Sequence, residues 1–220
     1  MPAEEFSYTG DDVAFRVRSG FGDFSGAQLS DAAILSWIND GQREIVNSNT
    51  ILRATKYSDI IAGQQDYSFP EEKVLAIEAV YVNGYPIENI SPQAAREYIL
   101  KLDPELILGS SKPELWYERA GIITFYPVPD TAVTNGLKLE YVKVPTPLDS
   151  LSGPLGIPDR YFNELTTYTT SQALEADENY DAASYKLRQF RDGLDRLNLR
   201  DNISQIDLYP QLMPDPDDYM

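Results

Sequence analysis

The sequence predicts an α+β protein: an antiparallel helical bundle, a small antiparallel β domain inserted into it, and an extended C-terminal arm. Three observations carry this. Apolar residues recur at helical spacing in 31–48 and again after residue 158. From 51 to 147 the period falls to two, with turn dipeptides between the runs. The last twenty residues, DNISQIDLYPQLMPDPDDYM, hold five aspartates, three prolines and no basic residue, a composition that does not support a stable helix.

Residues 1–10 read as a flexible N-terminus. Val13, Phe15 and Val17 alternate as in a strand, while Asp11 and Asp12 suit the start of a short helix equally well. The glycine-dense stretch GFGDFSG (20–26) follows. Ser30 is then a good N-cap and Asp31 favours the positive end of a helix dipole. Ile34, Ile38, Gly41 and Ile45 share one face, with Leu35 and Trp37 beside it, which predicts a helix over 31–48.

In the β region, Thr55, Tyr57, Asp59 and Ile61 alternate with their neighbours, and AGQQ turns the chain into DYSFP. VLAIEAVYV (74–82) runs into Asn83-Gly84, a strong hairpin signal because both central residues of a type I′ turn need positive φ. Pro86–Ile90 is the return strand. SPQAAREYILKL (91–102) predicts a helix with Ser91 as N-cap, Pro92 at its first position, and Ala95, Ile99 and Leu102 on one face. ELWYE (114–118) and IITFYP (122–127) flank a turn at Arg119-Ala120-Gly121, and LKLEYVKV (137–144) alternates after Asn135-Gly136.

PTPLDSLSGPLGIP (145–158), with four prolines and two glycines, reads as a crossover. Pro158 opens a helix with Phe162, Leu165, Ala173 and Leu174 as its apolar positions. After the turn Asp177-Glu178-Asn179, Tyr180, Ala183, Leu187, Phe190, Leu194 and Leu197 form a heptad-like seam, which predicts an antiparallel helix pair with the 31–48 helix as third member. The organisation expected is therefore a helical domain of 11–50 and 156–200, a β domain of 51–147, a linker of 148–155 and an arm of 201–220. The expected bundle core is Ile34, Trp37, Ile38, Ile45, Phe162, Leu165, Leu187, Phe190 and Leu194.

Composition narrows the function. The chain of 220 residues carries 18 Lys and Arg against 35 Asp and Glu, a net charge of −17. Tight grip on DNA or an anionic membrane needs clustered cations, which are missing here. Without cysteine or histidine there are no disulfides, no thiolate or imidazole metal sites and no histidine acid–base chemistry. MPAEEFSYTGDD lacks the basic and apolar regions of a signal peptide, and no apolar run approaches the roughly 18 residues that span a bilayer. Fifteen tyrosines suit surfaces that become half-buried in an assembly; tyrosines at strand edges would account for them equally.

Three candidate sites fail on spacing. Gly20, Gly22 and Gly26 are spaced one residue too far for a dinucleotide fingerprint, no lysine follows as in a P-loop, and Asp23 would repel phosphate. The loop reads instead as a tight turn that lets Phe21 and Phe24 tuck inward. The pairs Glu71-Glu72, Asp177-Glu178 and Asp217-Asp218 are adjacent in sequence rather than convergent, and neither TGDD nor DENYD has calcium-loop spacing. Asp215, Asp217 and Asp218 could at most hold a cation weakly. Trp37 and Trp116 read as core or interface. No catalytic, cofactor or metal residue is assigned.

The ordered set FGDFSGAQLSDAAILSWINDGQREIV, AGQQDYSFP, VNGYPI, ITFYPVP and GIPDRYFNELTTYTTSQALEADENYDAASYKLRQF resembles the head-to-tail adaptor proteins of tailed bacteriophages over residues 11–198. The resemblance implies a structural virion protein at the neck, made in the host cytoplasm. It also implies a twelve-fold homo-oligomeric ring beneath the portal, with partners in the portal protein and a tail, nozzle or stopper protein. DNA would pass through without specific binding, past an acidic lumen whose charges add around the ring. The arm would carry the portal contact through Ile203, Ile206, Leu208, Tyr209, Leu212, Met213 and Tyr219. Two alternatives stand beside this: a collar or fibre-attachment protein docking through its β domain, and an acidic carbohydrate-active enzyme using two carboxylates.

Overall fold

The computed structural model describes residues 8–23, 25–68, 73–101 and 112–206. The fold is mixed α+β and divides into two compact units, Met1–Asn49 with Pro145–Met220, and Thr50–Val144. The first is helical and the second is built on a sheet.

The first described residue of the helical unit is Tyr8, inside the stretch expected to be a flexible lead-in. Thr9 donates from both its amide and its hydroxyl to the Asp12 carboxylate, each at 2.8 Å, and this caps α1 (Gly10–Phe21). Val13, Ala14 and Val17 face inward while Phe15 is 68% exposed, so helical spacing prevails over the period-two alternation. Gly22, at φ 70, ends the helix in the left-handed region. The helix α2 (Asp31–Asn49) starts at Ser30, whose hydroxyl accepts the Ala33 amide at 3.3 Å.

In the sheet unit, α3 (Pro92–Lys101) is capped by the Ser91 hydroxyl, which accepts the Ala94 amide. The seven strands are β1 (Arg53–Ile60), β2 (Asp66–Ser68), β3 (Val74–Val82), β4 (Tyr85–Asn89), β5 (Leu115–Arg119), β6 (Ile122–Tyr126) and β7 (Val133–Lys143). They lie in the order β1-β7-β3-β4-β5-β6-β2. Asn83 (φ 52) with Gly84 (φ 82) turns β3 into β4, and Ala120 (φ 54) with Gly121 (φ 78) turns β5 into β6. One joint departs from the antiparallel expectation. The β4 and β5 strands pair in parallel, Glu88 with Leu115 and Asn89 with Trp116, because the chain between them makes a crossover through α3. Asn135-Gly136 likewise opens no strand: it lies inside β7 as an irregularity opposite Ser58–Ile60, held by the Asn135 amide on the Asp59 carboxylate at 2.7 Å. The core gathers Ile60, Tyr67, Val80, Val82, Trp116, Ile123, Phe125, Leu137, Leu139 and Tyr141. The hydroxyl of Tyr67 on one edge strand accepts the Ile61 amide just past the other, so the sheet curls until its two edges share that core.

The chain returns to the helical unit at Pro145. Leu148, Leu151, Leu155 and Ile157 of the expected crossover are all buried and form part of the helical core. A short 3₁₀ turn (Asp159–Tyr161) follows Pro158 and leads into α4 (Phe162–Ala176). The last helix is α5 (Tyr180–Ile206). The two run antiparallel: Glu164 lies against Gly193, and the rings of Tyr168 and Phe190 are 5.2 Å apart. Gly41 of α2 sits on Leu165 and Tyr168, which places α2 along the same face of α4. The continuation of α5 to Ile206 corrects the expectation that the arm begins at 201. The three prolines of the final stretch are Pro210, Pro214 and Pro216, so DNISQI carries no helix breaker and the rule applies only beyond it. No helix among the described residues is long and apolar enough to cross a membrane.

Candidate functional site

The glycine loop is built around Asp23. Its carboxylate accepts the amides of Ala27 (3.0 Å), Gln28 (3.0 Å) and Leu29 (2.8 Å), together with the Ser25 hydroxyl. These are the amides that an anion at such a loop would need. The protein's own carboxylate fills that place, and the Leu29 amide bond in particular holds the Asp23 carboxyl below the usual carboxylate range. Arg18 closes the loop from α1, donating to the Leu29 carbonyl and pairing with Asp31. Phe21 is half-buried at the end of α1, while Phe24 lies outside the described residues.

The other candidates disperse. Asp177 and Glu178 are exposed at the turn between α4 and α5; Glu71, Glu72, Asp215, Asp217 and Asp218 lie outside the described residues. Among the described residues no group of three or more acidic side chains is placed to hold a metal ion. Trp116 is buried in the sheet core, and Trp37 is half-buried on α2. Of the residues expected in the helical core, Ile34, Ile38, Ile45, Phe162, Leu165, Phe190 and Leu194 are buried. Trp37 and Leu187 are half-buried. Tyr180 departs from the expected seam and is 62% exposed, because it precedes the region where α5 faces α4. Ile203 and Ile206 fall in the last turns of α5, while Leu208, Tyr209, Leu212, Met213 and Tyr219 lie outside the described residues.

What remains is surface of interface character. On the sheet unit, Tyr57 and Tyr85 are strongly exposed, and Tyr57, Lys138 and Tyr81 lie side by side across β1, β7 and β3. Lys138 stands over the Tyr81 ring at 4.5 Å and pairs with Glu140. That bond raises the lysine and lowers the glutamate from their ordinary values. On the helical unit, Tyr180, Tyr185 and Leu199 stand out from α5 among Arg188, Arg191 and Arg196. Sequence reasoning took α5 for its seam, counted Tyr180 in it and passed over Tyr185, Leu199 and the arginines; the signal was tyrosine and arginine recurring on the side away from the seam. Asp40 and Glu44 of α2, with Glu175, border Tyr168, whose hydroxyl is raised chiefly by burial and then by those carboxylates.

These features are of the kind that protein surfaces use to touch one another. A family model described as "SU10 adaptor protein" matches residues 8–211, a span that takes in both units. No curated protein matches the chain.

Proposed function

The chain belongs to the SU10 adaptor protein family of phage head-to-tail adaptors, and from that premise we propose that it forms a ring beneath the portal, joins capsid to tail and continues the DNA channel. Membership in the family makes it a phage structural adaptor and a component of the virion neck. The position of the ring, its twelve-fold number and the passage of DNA are our reading. The observation that carries it is the extent of the family match, which covers the sheet unit and the helical unit together. The net charge of −17 agrees with it, since a lumen of that sign lets DNA slide without adhering. In this role the chain is not an enzyme and needs no cofactor.

The portal contact falls to the segment after α5. Residues 207–220 carry Leu208, Tyr209, Leu212, Met213 and Tyr219 among four aspartates and three prolines, apolar side chains that a partner surface would bury. Co-sedimentation with portal particles tests this. The full chain is expected to co-sediment, and a chain ending at Ile206 to fold but remain in the supernatant. Equal co-sedimentation of both chains removes the arm, and failure of the full chain removes the adaptor role.

A second reading, a collar or fibre-attachment protein of the neck, draws on Tyr57 and Tyr85, which are 58% and 72% exposed on the sheet unit. Under it, replacing both by serine strips fibres from particles that still retain their DNA.

A further inference from the structure

The outer side of α5 is not used by its own fold. Its inner side is filled by Ala183, Phe190 and Leu194 against the rest of the helical unit. On the far side lie Tyr185 and Leu199, with Tyr180 at its margin, exposed by 57%, 62% and 62%, interleaved with Arg188, Arg191 and Arg196, all exposed. At 3.6 residues per turn these six positions fall within about 160° of the helix circumference. Tyrosine and arginine are the side chains most enriched at the centres of protein interfaces.

The arginines are also unspent. Among the described residues none of the three has a carboxylate within ion-pair distance. Arg188 and Arg196 donate from Nε to carbonyls of their own helix, those of Ser184 and Asp192. Each guanidinium therefore keeps terminal donors that suit a carboxylate in a bidentate pair. A polyanion is the poorer occupant. Asp181, Asp192 and Asp195 are exposed on the same side of the helix, so an unbroken row of phosphates would meet a carboxylate beside each arginine, whereas separate carboxylates on a partner can pair with the arginines alone.

A second copy of the chain supplies the missing carboxylates. On α2, Asp40 and Glu44 are exposed one turn apart, on either side of Gly41, which is seated on Leu165 and Tyr168. Asp40 has only Arg43, at 3.5 Å, and Glu44 has no partner among the described residues. We infer that the outer face of α5 in one copy docks on the Asp40–Glu44 ridge of α2 in the next. The two surfaces differ, so the contact runs head to tail and closes into a ring where the rotation permits. The inference rests on the ring proposed above and supplies its contact.

The test is a charge swap in the full chain, followed by sedimentation velocity over rising concentration. Wild type is expected to self-associate, and more weakly as salt rises from about 50 to about 500 mM. R188E/R191E/R196E and D40K/E44K should each weaken association at least about tenfold. A chain carrying both sets, and an equimolar mixture of the two reversed chains, should associate again. Unchanged association after either reversal, failure of the swap to restore it, or a wild type that stays monomeric at every concentration overturns the inference. So does binding of a short DNA duplex that the arginine reversal abolishes. Co-sedimentation with portal particles is read separately, so the adaptor role stands or falls on its own result.

Discussion

Gln42 of α2 accepts the amide of Gly156 with a side chain that is wholly buried, joining residues 114 apart in sequence. One turn earlier, Asn39 donates to the Leu148 carbonyl at 3.1 Å and accepts its amide at 2.8 Å. These two side chains pin the returning segment to α2, so a proline-rich stretch that looks like a bridge in the sequence is packed as core. A Cβ on Gly156 would meet the Thr146 carbonyl at 2.9 Å, which is why the approach is made at a glycine.

Replacing Gln42 by leucine keeps the volume and removes the acceptor. The Gly156 amide is then left without its partner, a cost of about 1–3 kcal/mol. The urea midpoint should fall with an unchanged slope. An unmoved midpoint would show that the bond carries no weight.

Two glycines in helices should respond oppositely to alanine. At Gly41 the new Cβ would meet Leu165 Cδ1 at 2.7 Å and Tyr168 Cδ1 at 2.8 Å. Overpacking of that kind costs about 1–3 kcal/mol and outweighs the roughly 1 kcal/mol gained in helix propensity. At Gly20, exposed near the end of α1, a Cβ meets nothing within 4 Å, so G20A should stabilise by about 0.5–1 kcal/mol. Thermal denaturation of the two variants separates the cases, with G41A below wild type and G20A above it.

These contrasts show which parts of the structure were legible. The Asn83-Gly84 hairpin was readable because a type I′ turn is a local demand on two residues. The α1 helix was ambiguous because Val13 and Val17 fit period two with Phe15 and helical spacing with Ala14; the Thr9–Asp12 cap decides between them. The parallel joint of β4 with β5 depends on where α3 returns the chain, which no local pattern records. The same holds for Asp23. Its charge was readable as hostile to phosphate, but its three amide partners exist only once the loop has closed around it. In α5 the seam was visible, while its outer face gained meaning only when the exposed tyrosines and unpaired arginines could be seen together.

Ala120 occupies a left-handed position, φ 54, in the turn between β5 and β6. An L-residue with a Cβ pays about 1–2 kcal/mol there, while glycine in the unfolded chain loses about 0.4–1 kcal/mol more entropy on folding. The difference favours A120G by up to about 1.6 kcal/mol, and A120N should also gain because asparagine tolerates this region. Both should raise the melting temperature; a lower value for both would mean that the alanine methyl group makes a contact worth more than the strain.

Asp23 sets an acid limit on the loop that precedes α2. Its folded pKa lies below the ordinary 3.8, chiefly because the Leu29 amide, and then those of Gln28 and Ala27, bond the charged form against the opposing effect of desolvation. A carboxyl lowered on folding contributes stability that is complete above its unfolded pKa and is lost as pH falls through the folded one. Wild type should therefore lose stability below about pH 4, and D23N, which keeps one acceptor oxygen but no charge, should start lower at neutral pH and show a shallower acid decline. Urea midpoints of both chains between pH 3 and pH 7 check this. Parallel curves for the two would mean that the charge on Asp23 does not hold the loop.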